Sequence, residues 1–188
     1  VNDGFVLNDG NGGGNYEVTR LSAPGTITPA TLSITGVQAS GKIYDGTRVA
    51  SLSGGAIEVF GRDDVALVNT GVVGSFESKD AGTAKPVTAT GYAINGADAS
   101  NYILTMPQDL KADIAPKLLT VAAKNDVRTY DGLPYTGGNG VAFSGFVAGE
   151  SESVLSGVLA YGGTSQGAVS VGTYAIRPTG LSSPNYHI

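Results

Sequence analysis

An internal period constrains this chain more than any other feature. Tyr44-Asp45-Gly46 returns as Tyr130-Asp131-Gly132, 86 residues later. Thr26-Ile27-Thr28-Pro29 returns as Asp113-Ile114-Ala115-Pro116 after 87 residues, and Asn15-Tyr16, Asn101-Tyr102 and Asn185-Tyr186 stand 86 and 84 residues apart. Similar segments lead into each Asn-Tyr: GFVLNDGNGGGNY, GYAINGADASNY and TYAIRPTGLSSPNY. Independent landmarks that agree on one spacing mark a repeated supersecondary unit, which contacts mainly its neighbours.

Within a unit the order is Ile-x-Pro, a strand, Tyr-Asp-Gly, a variable middle, an apolar strand, then Asn-Tyr and a last strand. This order divides the 188 residues into three parts. Residues 1–28 read as the C-terminal hairpin of a preceding repeat, or as a donor segment. Residues 29–115 form a complete repeat. Residues 116–188 form a second repeat that lacks its final strand, and the start at Val1 suggests a mature product or an excised fragment.

Composition selects strands over helices. The 41% hydrophobic content suffices for a core, while only 14% charged residues and 29 glycines favour sheets and turns. Ala56–Phe60, Val65–Val68, Val87–Thr90 and Tyr102–Thr105 alternate with period two, and Gly-rich clusters such as Ser53-Gly54-Gly55 separate them. Two acidic stretches, Gly61–Asp64 and Gly149–Glu152, would each cap one helical turn. The expected fold is all-β: tandem small two-layer β domains of about 86 residues per repeat. An immunoglobulin-like sandwich and a β-grasp-like sheet both fit.

Several function classes fall away on composition. A net charge of -5 without any Lys/Arg cluster repels phosphate backbones, so no nucleic-acid partner is expected. No apolar run approaches the roughly 20 residues that span a bilayer, and no membrane insertion is expected. Without cysteine there are no disulfides and no thiolate metal sites.

The motifs have architectural readings. In Tyr-Asp-Gly, Gly takes positive φ, Asp bonds its own backbone, and Tyr buries its ring while its hydroxyl seeks a partner. In Asn-Tyr, Asn tolerates a left-handed strand entry and Tyr anchors the strand. In Ile-x-Pro, Pro stiffens the junction between units.

Residues 30–115 resemble the YDG repeat of large bacterial filamentous-haemagglutinin-like surface adhesins, through KIYDGT, LSGGAI, GRDDVALV, KDAGTAKPVTATGY, GADASNYIL and ADIAPK. Residues 117–188 are similar to the MBG repeat of the same proteins, through LTVAAKN, TYDGLPYT, SGFVAGESES, VGTYAI and SSPNYHI. They differ from that family's usual Tyr-Gly signature in keeping Tyr-Asp-Gly. The resemblance implies an extracellular stalk or fibre module on the bacterial surface or in its matrix, with no enzymatic activity and no cofactor. It brings structural motifs only: Tyr44, Asp45, Gly46, Tyr130, Asp131, Gly132 and the three Asn-Tyr pairs.

Candidate chemistry is sparse. The single histidine, His187, has no nucleophile elbow to serve. Asp63-Asp64 and Glu150/Glu152 lack the alternating acidic pattern of a Ca²⁺ loop and read as solvated turns. Asn8–Gly14 reads as a long hairpin loop. Lys42, Lys79 and Lys85 are available for an intramolecular isopeptide bond, which would lower the intact mass by one ammonia or one water.

The expected role is structural, with neighbouring repeats or copies of the same chain as partners. The missing last strand leaves an open sheet edge, and residues 15–28 are that strand type without a body. Either one chain's N-terminal segment completes the next chain head to tail, or the residues are a window of a longer repetitive chain. The alternative class is a glycan- or protein-binding adhesin module, using loops such as Tyr135–Asn139 or Tyr161–Thr164.

Overall fold

The computed structural model describes residues 8–17, 19 and 21–188. Ten strands form a first set: β1 (Ala30–Ser33), β2 (Gln38–Ser40), β3 (Lys42–Ile43), β4 (Val49–Ser53), β5 (Ala66–Val68), β6 (Val73–Phe76), β7 (Gly82–Thr90), β8 (Ala93–Asn95), β9 (Tyr102–Thr105) and β10 (Lys111–Ala115). Six more form a second: β11 (Lys117–Leu118), β12 (Thr120–Ala123), β13 (Val141–Ser144), β14 (Ser156–Gly162), β15 (Arg177–Ser182) and β16 (Tyr186–His187). Among the described residues the only helical elements are 3-10 turns at Ala99–Asn101 and Glu152–Val154. The fold is all-β.

The first set is organised by a six-stranded sheet in the order β2-β4-β6-β7-β10-β3. Period-two patterning places its inward faces: β7 buries Val87 and Ala89, and β10 buries Ala112 and Ile114. β10 fills the slot between β7, to which it runs antiparallel, and β3, to which it runs parallel. Backbone bonds reach it from both sides: the Tyr44 N–H donates to the Ala115 carbonyl, and the Val87 N–H to the carbonyl of Leu110 just before the strand, each at 2.8 Å.

Both sets close in the same way. β1 pairs in parallel with β9, placing Ala30 opposite Tyr102, and β11 pairs in parallel with β16, placing Lys117 opposite Tyr186. In each case the residue after the Ile-x-Pro proline meets the tyrosine of Asn-Tyr. The remaining pairs, β5–β8, β12–β13 and β14–β15, are antiparallel.

One expected strand is absent. Ala56–Phe60 forms no ladder; only an isolated bridge joins Thr35 to Ala56. Its alternation is overridden because the Phe60 N–H is taken by the Tyr102 hydroxyl at 3.0 Å and the Phe60 ring stacks on Tyr102. Part of the hairpin expected over 1–28 lies outside the described residues. The described residues from 8 to 29 contain no strand, and Asp9 Oδ1 organises the Gly-rich turn by accepting from Asn11 and Gly13 N–H, both at 2.9 Å.

The core is continuous between the two sets. Tyr44, Phe76 and Ile114 from the first pack in one cluster with Leu119, Val147 and Tyr186 from the second. A smaller cluster around Ile34, Ala89 and Tyr92 lies within the first.

Candidate functional site

In the second and third Asn-Tyr pairs the tyrosine anchors an acidic loop. Tyr102 donates its hydroxyl to Asp63 Oδ2 at 2.6 Å and accepts the Phe60 N–H at 3.0 Å. Tyr186 donates to Glu150 Oε2 at 2.6 Å and accepts the Val147 N–H at 3.0 Å. Acid and amide stand three residues apart in both loops, and each loop lies 87 residues from its counterpart. A phenol fits because it carries a large apolar ring and one group that both donates and accepts.

The second loop also holds the two sets of strands together. Tyr44, on the first set, donates to Glu150 Oε1 at 2.5 Å, and Lys79 Nζ reaches the same oxygen at 3.1 Å. The Glu150 side chain is 12% exposed, so a nearly buried carboxylate accepts three donors, two of them from across the boundary. Tyr44 meets Tyr186 edge-on, with ring centroids 5.5 Å apart. Asn185 adds a polar rim: its Oδ1 accepts the Ala81 N–H at 2.8 Å and its Nδ2 donates to Asp80 at 3.1 Å.

Burial raises the Glu150 carboxyl, but the bonds from Tyr186, Tyr44 and Lys79 outweigh it and hold it below the ordinary glutamate value. Burial and then the adjacent carboxylate push the Tyr44 and Tyr186 hydroxyls upward. The Glu150 bond draws Lys79 upward too. These shifts move the cluster's protonation changes away from neutrality. The arrangement ties Tyr44, Lys79 and Tyr186 to one carboxylate.

The two Tyr-Asp-Gly turns are alike in backbone and unlike in surroundings. Asp45 Oδ1 accepts the Thr47 N–H at 2.8 Å, Asp131 Oδ1 accepts the Leu133 N–H at 3.0 Å, and both glycines have φ of +76°. Lys42 closes on Asp45 at 2.7 Å, and Arg128 pairs with Asp131. The tyrosines then diverge: Tyr44 is 1% exposed and Tyr130 is 65% exposed. Of the Asn-Tyr tyrosines, Tyr102 and Tyr186 are buried, whereas Tyr16 is exposed and its neighbour Asn15 likewise. Asn101 is exposed at the end of a 3-10 turn.

Glu150, Asp63 and Lys79 acquire roles that a reading as solvated turns or isopeptide donors did not assign. The legible signal was the 87-residue spacing of Asp63 and Glu150, the same as between the two Ile-x-Pro motifs. Asp64 bonds loop backbone instead, accepting the Ala97 N–H at 3.2 Å. Lys85 Nζ donates to the Ser78 hydroxyl at 2.7 Å. His187 serves through its backbone carbonyl, which accepts the Leu119 N–H at 2.9 Å. In the loops weighed for binding, Tyr135 donates to Asp126 at 2.6 Å and the Tyr161 ring covers Gly138. Among the described residues no three metal-ligating side chains converge.

No curated protein and no solved structure matches the chain. Family models match both sets of strands, and both tyrosines that grip Glu150 fall within a matched stretch. The chain thus joins a stretch similar to the YDG domain, residues 28–109, to one similar to the MBG domain (YGX type), residues 119–188.

Proposed function

We propose that this chain is a structural section of an extracellular stalk or fibre, of the kind that projects bacterial surface adhesins, with successive repeats locked end to end. The observation that carries this reading is the junction: Tyr44, Lys79 and Tyr186 converge on Glu150 above a core shared by both sets of strands. Independent modules on a flexible tether would show an exposed linker and two separate cores. Here the linker is Pro116, with β10 ending before it and β11 starting after it. Proline fixes φ and limits the directions in which the second repeat can swing. The matches to the YDG and MBG domains support the same reading. A net charge of -5 keeps such a rod soluble and disfavours lateral clumping.

Residual dipolar couplings test the stiffness this role requires. Both repeats should report one common alignment tensor; two different tensors would describe a hinge and defeat the proposal. Location is tested by antibody labelling of intact producing cells. Staining only after permeabilisation would place the protein inside and remove the stalk role.

A further inference from the structure

The loop that carries Glu150 has a twin in the first set of strands. The Asp63 N–H donates to the Phe60 carbonyl at 3.1 Å, as the Glu150 N–H donates to the Val147 carbonyl at 3.1 Å. Each loop is then pinned by its own tyrosine, Tyr102 or Tyr186, at 2.6 Å to the acid and 3.0 Å from the amide. Two loops with the same backbone bond and the same pin present their acids and apolar side chains in the same frame.

At the junction that frame is filled. Val147 is 8% exposed because it lies on the Tyr-Asp-Gly turn, where a Cβ at Gly46 would stand 3.2 Å from its Cγ2. Glu150 takes the Tyr44 phenol, and Asn185 accepts the Ala81 N–H.

In the first set every counterpart is open. Phe60, 87 residues before Val147, is 69% exposed with its ring stacked on Tyr102. Asp63 accepts from Tyr102 through Oδ2, and no described residue donates to its Oδ1. Asn101 is exposed where Asn185 is engaged. All four residues lie inside the stretch matched to the YDG domain. A bare aromatic ring, an unfilled carboxylate oxygen and an amide stand side by side, the same three kinds of group that the second set offers the first.

We propose that the face formed by Phe60, Asp63 and Tyr102 is a second seat of this kind, which takes the Tyr-Asp-Gly turn of another repeat. The incoming phenol donates to Asp63 Oδ1, the glycine lies on the Phe60 ring, and Asn101 accepts a backbone N–H beside the turn. A bond from phenol to carboxylate is charge-assisted, and stronger than one between neutral groups. Glycine is required twice over. Its φ is +76° at both Gly46 and Gly132, and a side chain there would fill the space the ring needs. The first set thus carries a turn, used at the junction, and a seat, so one repeat links two neighbours. The proposal rests on the locked junction described above and not on where the protein resides.

The Tyr130-Asp131-Gly132 turn of a second copy serves as the probe, because Tyr130 is exposed and a Cβ at Gly132 would meet nothing within 4 Å. The chain has no cysteine, so introduced pairs report contacts without background. Gly46→Cys with Val147→Cys is the reference. Their Cβ positions stand 3.9 Å apart, within the ~3.5–4.5 Å of a disulfide, so one chain should close on itself under mild oxidation. Chains carrying Phe60→Cys and Gly132→Cys should, when mixed, form a disulfide heterodimer. Docking should make this at least about tenfold faster than pairing of Phe60→Cys with Val158→Cys, an exposed β14 position. Tyr130→Phe on the Gly132→Cys chain should slow it about tenfold, the loss expected for one hydrogen bond to a charged group. Leu133→Cys, beside the glycine and without its positive φ, gives the same measurement if Gly132→Cys does not fold.

Pairing no faster than the Val158 control overturns the seat, and a rate unmoved by Tyr130→Phe overturns the phenol as its ligand. A reference pair that stays reduced overturns the locked junction, and this proposal with it. A closed reference without the heterodimer leaves the junction standing and removes only the second seat.

Discussion

Glu150 decides the junction at the residue scale. Its carboxylate accepts from two tyrosines and a lysine while 12% exposed, so removing it strands two buried hydroxyls. Glu150→Ala should cost about 3 kcal/mol, from roughly 1–3 for each buried polar group left unpaired. Tyr44→Phe should cost about 1 kcal/mol, and Tyr130→Phe almost nothing, because Tyr130 faces solvent. Equilibrium urea unfolding of the three variants measures all of this, and equal costs for the two tyrosines would refute the asymmetry. The same cluster sets a pH window. Glu150 titrates lower in the folded chain than its ordinary 4.5, so its stabilisation is present above 4.5 and is lost as pH falls through the folded value. Tyr44 and Tyr186 titrate above their ordinary 10.0, so theirs is present below 10.0 and is lost as pH rises through the folded values. Thermal melts should therefore show a plateau between these limits, with a shallower acid limb in Glu150→Gln. An acid limb identical to wild type would remove Glu150 from the account.

β10 is the element on which the first set of strands depends, because it is bonded on both edges and buries Ala112 and Ile114. Ile114→Ala should cost about 3 kcal/mol, within the usual range for emptying an isoleucine site. Ile27→Ala in the equivalent motif should leave the stability of the monomeric fold unchanged, since Ile27 is bare. Calorimetric melting temperatures of the two variants at low concentration measure the difference; a loss at Ile27 matching that at Ile114 would contradict it. The Tyr-Asp-Gly turns and the short strands Ala66–Val68 and Tyr102–Thr105 were legible in sequence, because Asp-Gly chemistry and period-two burial are local. Ala56–Phe60 misled because its alternation is equally local, while its fate was settled by Tyr102, 42 residues away. The clamp was illegible for the same reason. Nothing near Glu150 announces Tyr44, which stands 106 residues off and arrives only through packing. The repeat spacing was the one long-range signal available, and it pairs Asp63 with Glu150 without naming the tyrosines that use them.

At the scale of the whole molecule the two repeats behave as one body, because their largest apolar cluster includes side chains from both. Domains this small bury a limited core alone, so much of their stability resides in the interface. Under the proposed stalk role, repeats joined in this way would transmit load along the chain instead of swivelling at Pro116. Differential scanning calorimetry of the wild type beside Glu150→Ala tests that claim most directly. The wild type should unfold in a single transition whose calorimetric and van't Hoff enthalpies agree. Glu150→Ala should split it into two, with the first repeat melting apart from the second. Two independent transitions in the wild type, unmoved by the substitution, would show two separate modules and contradict a locked junction.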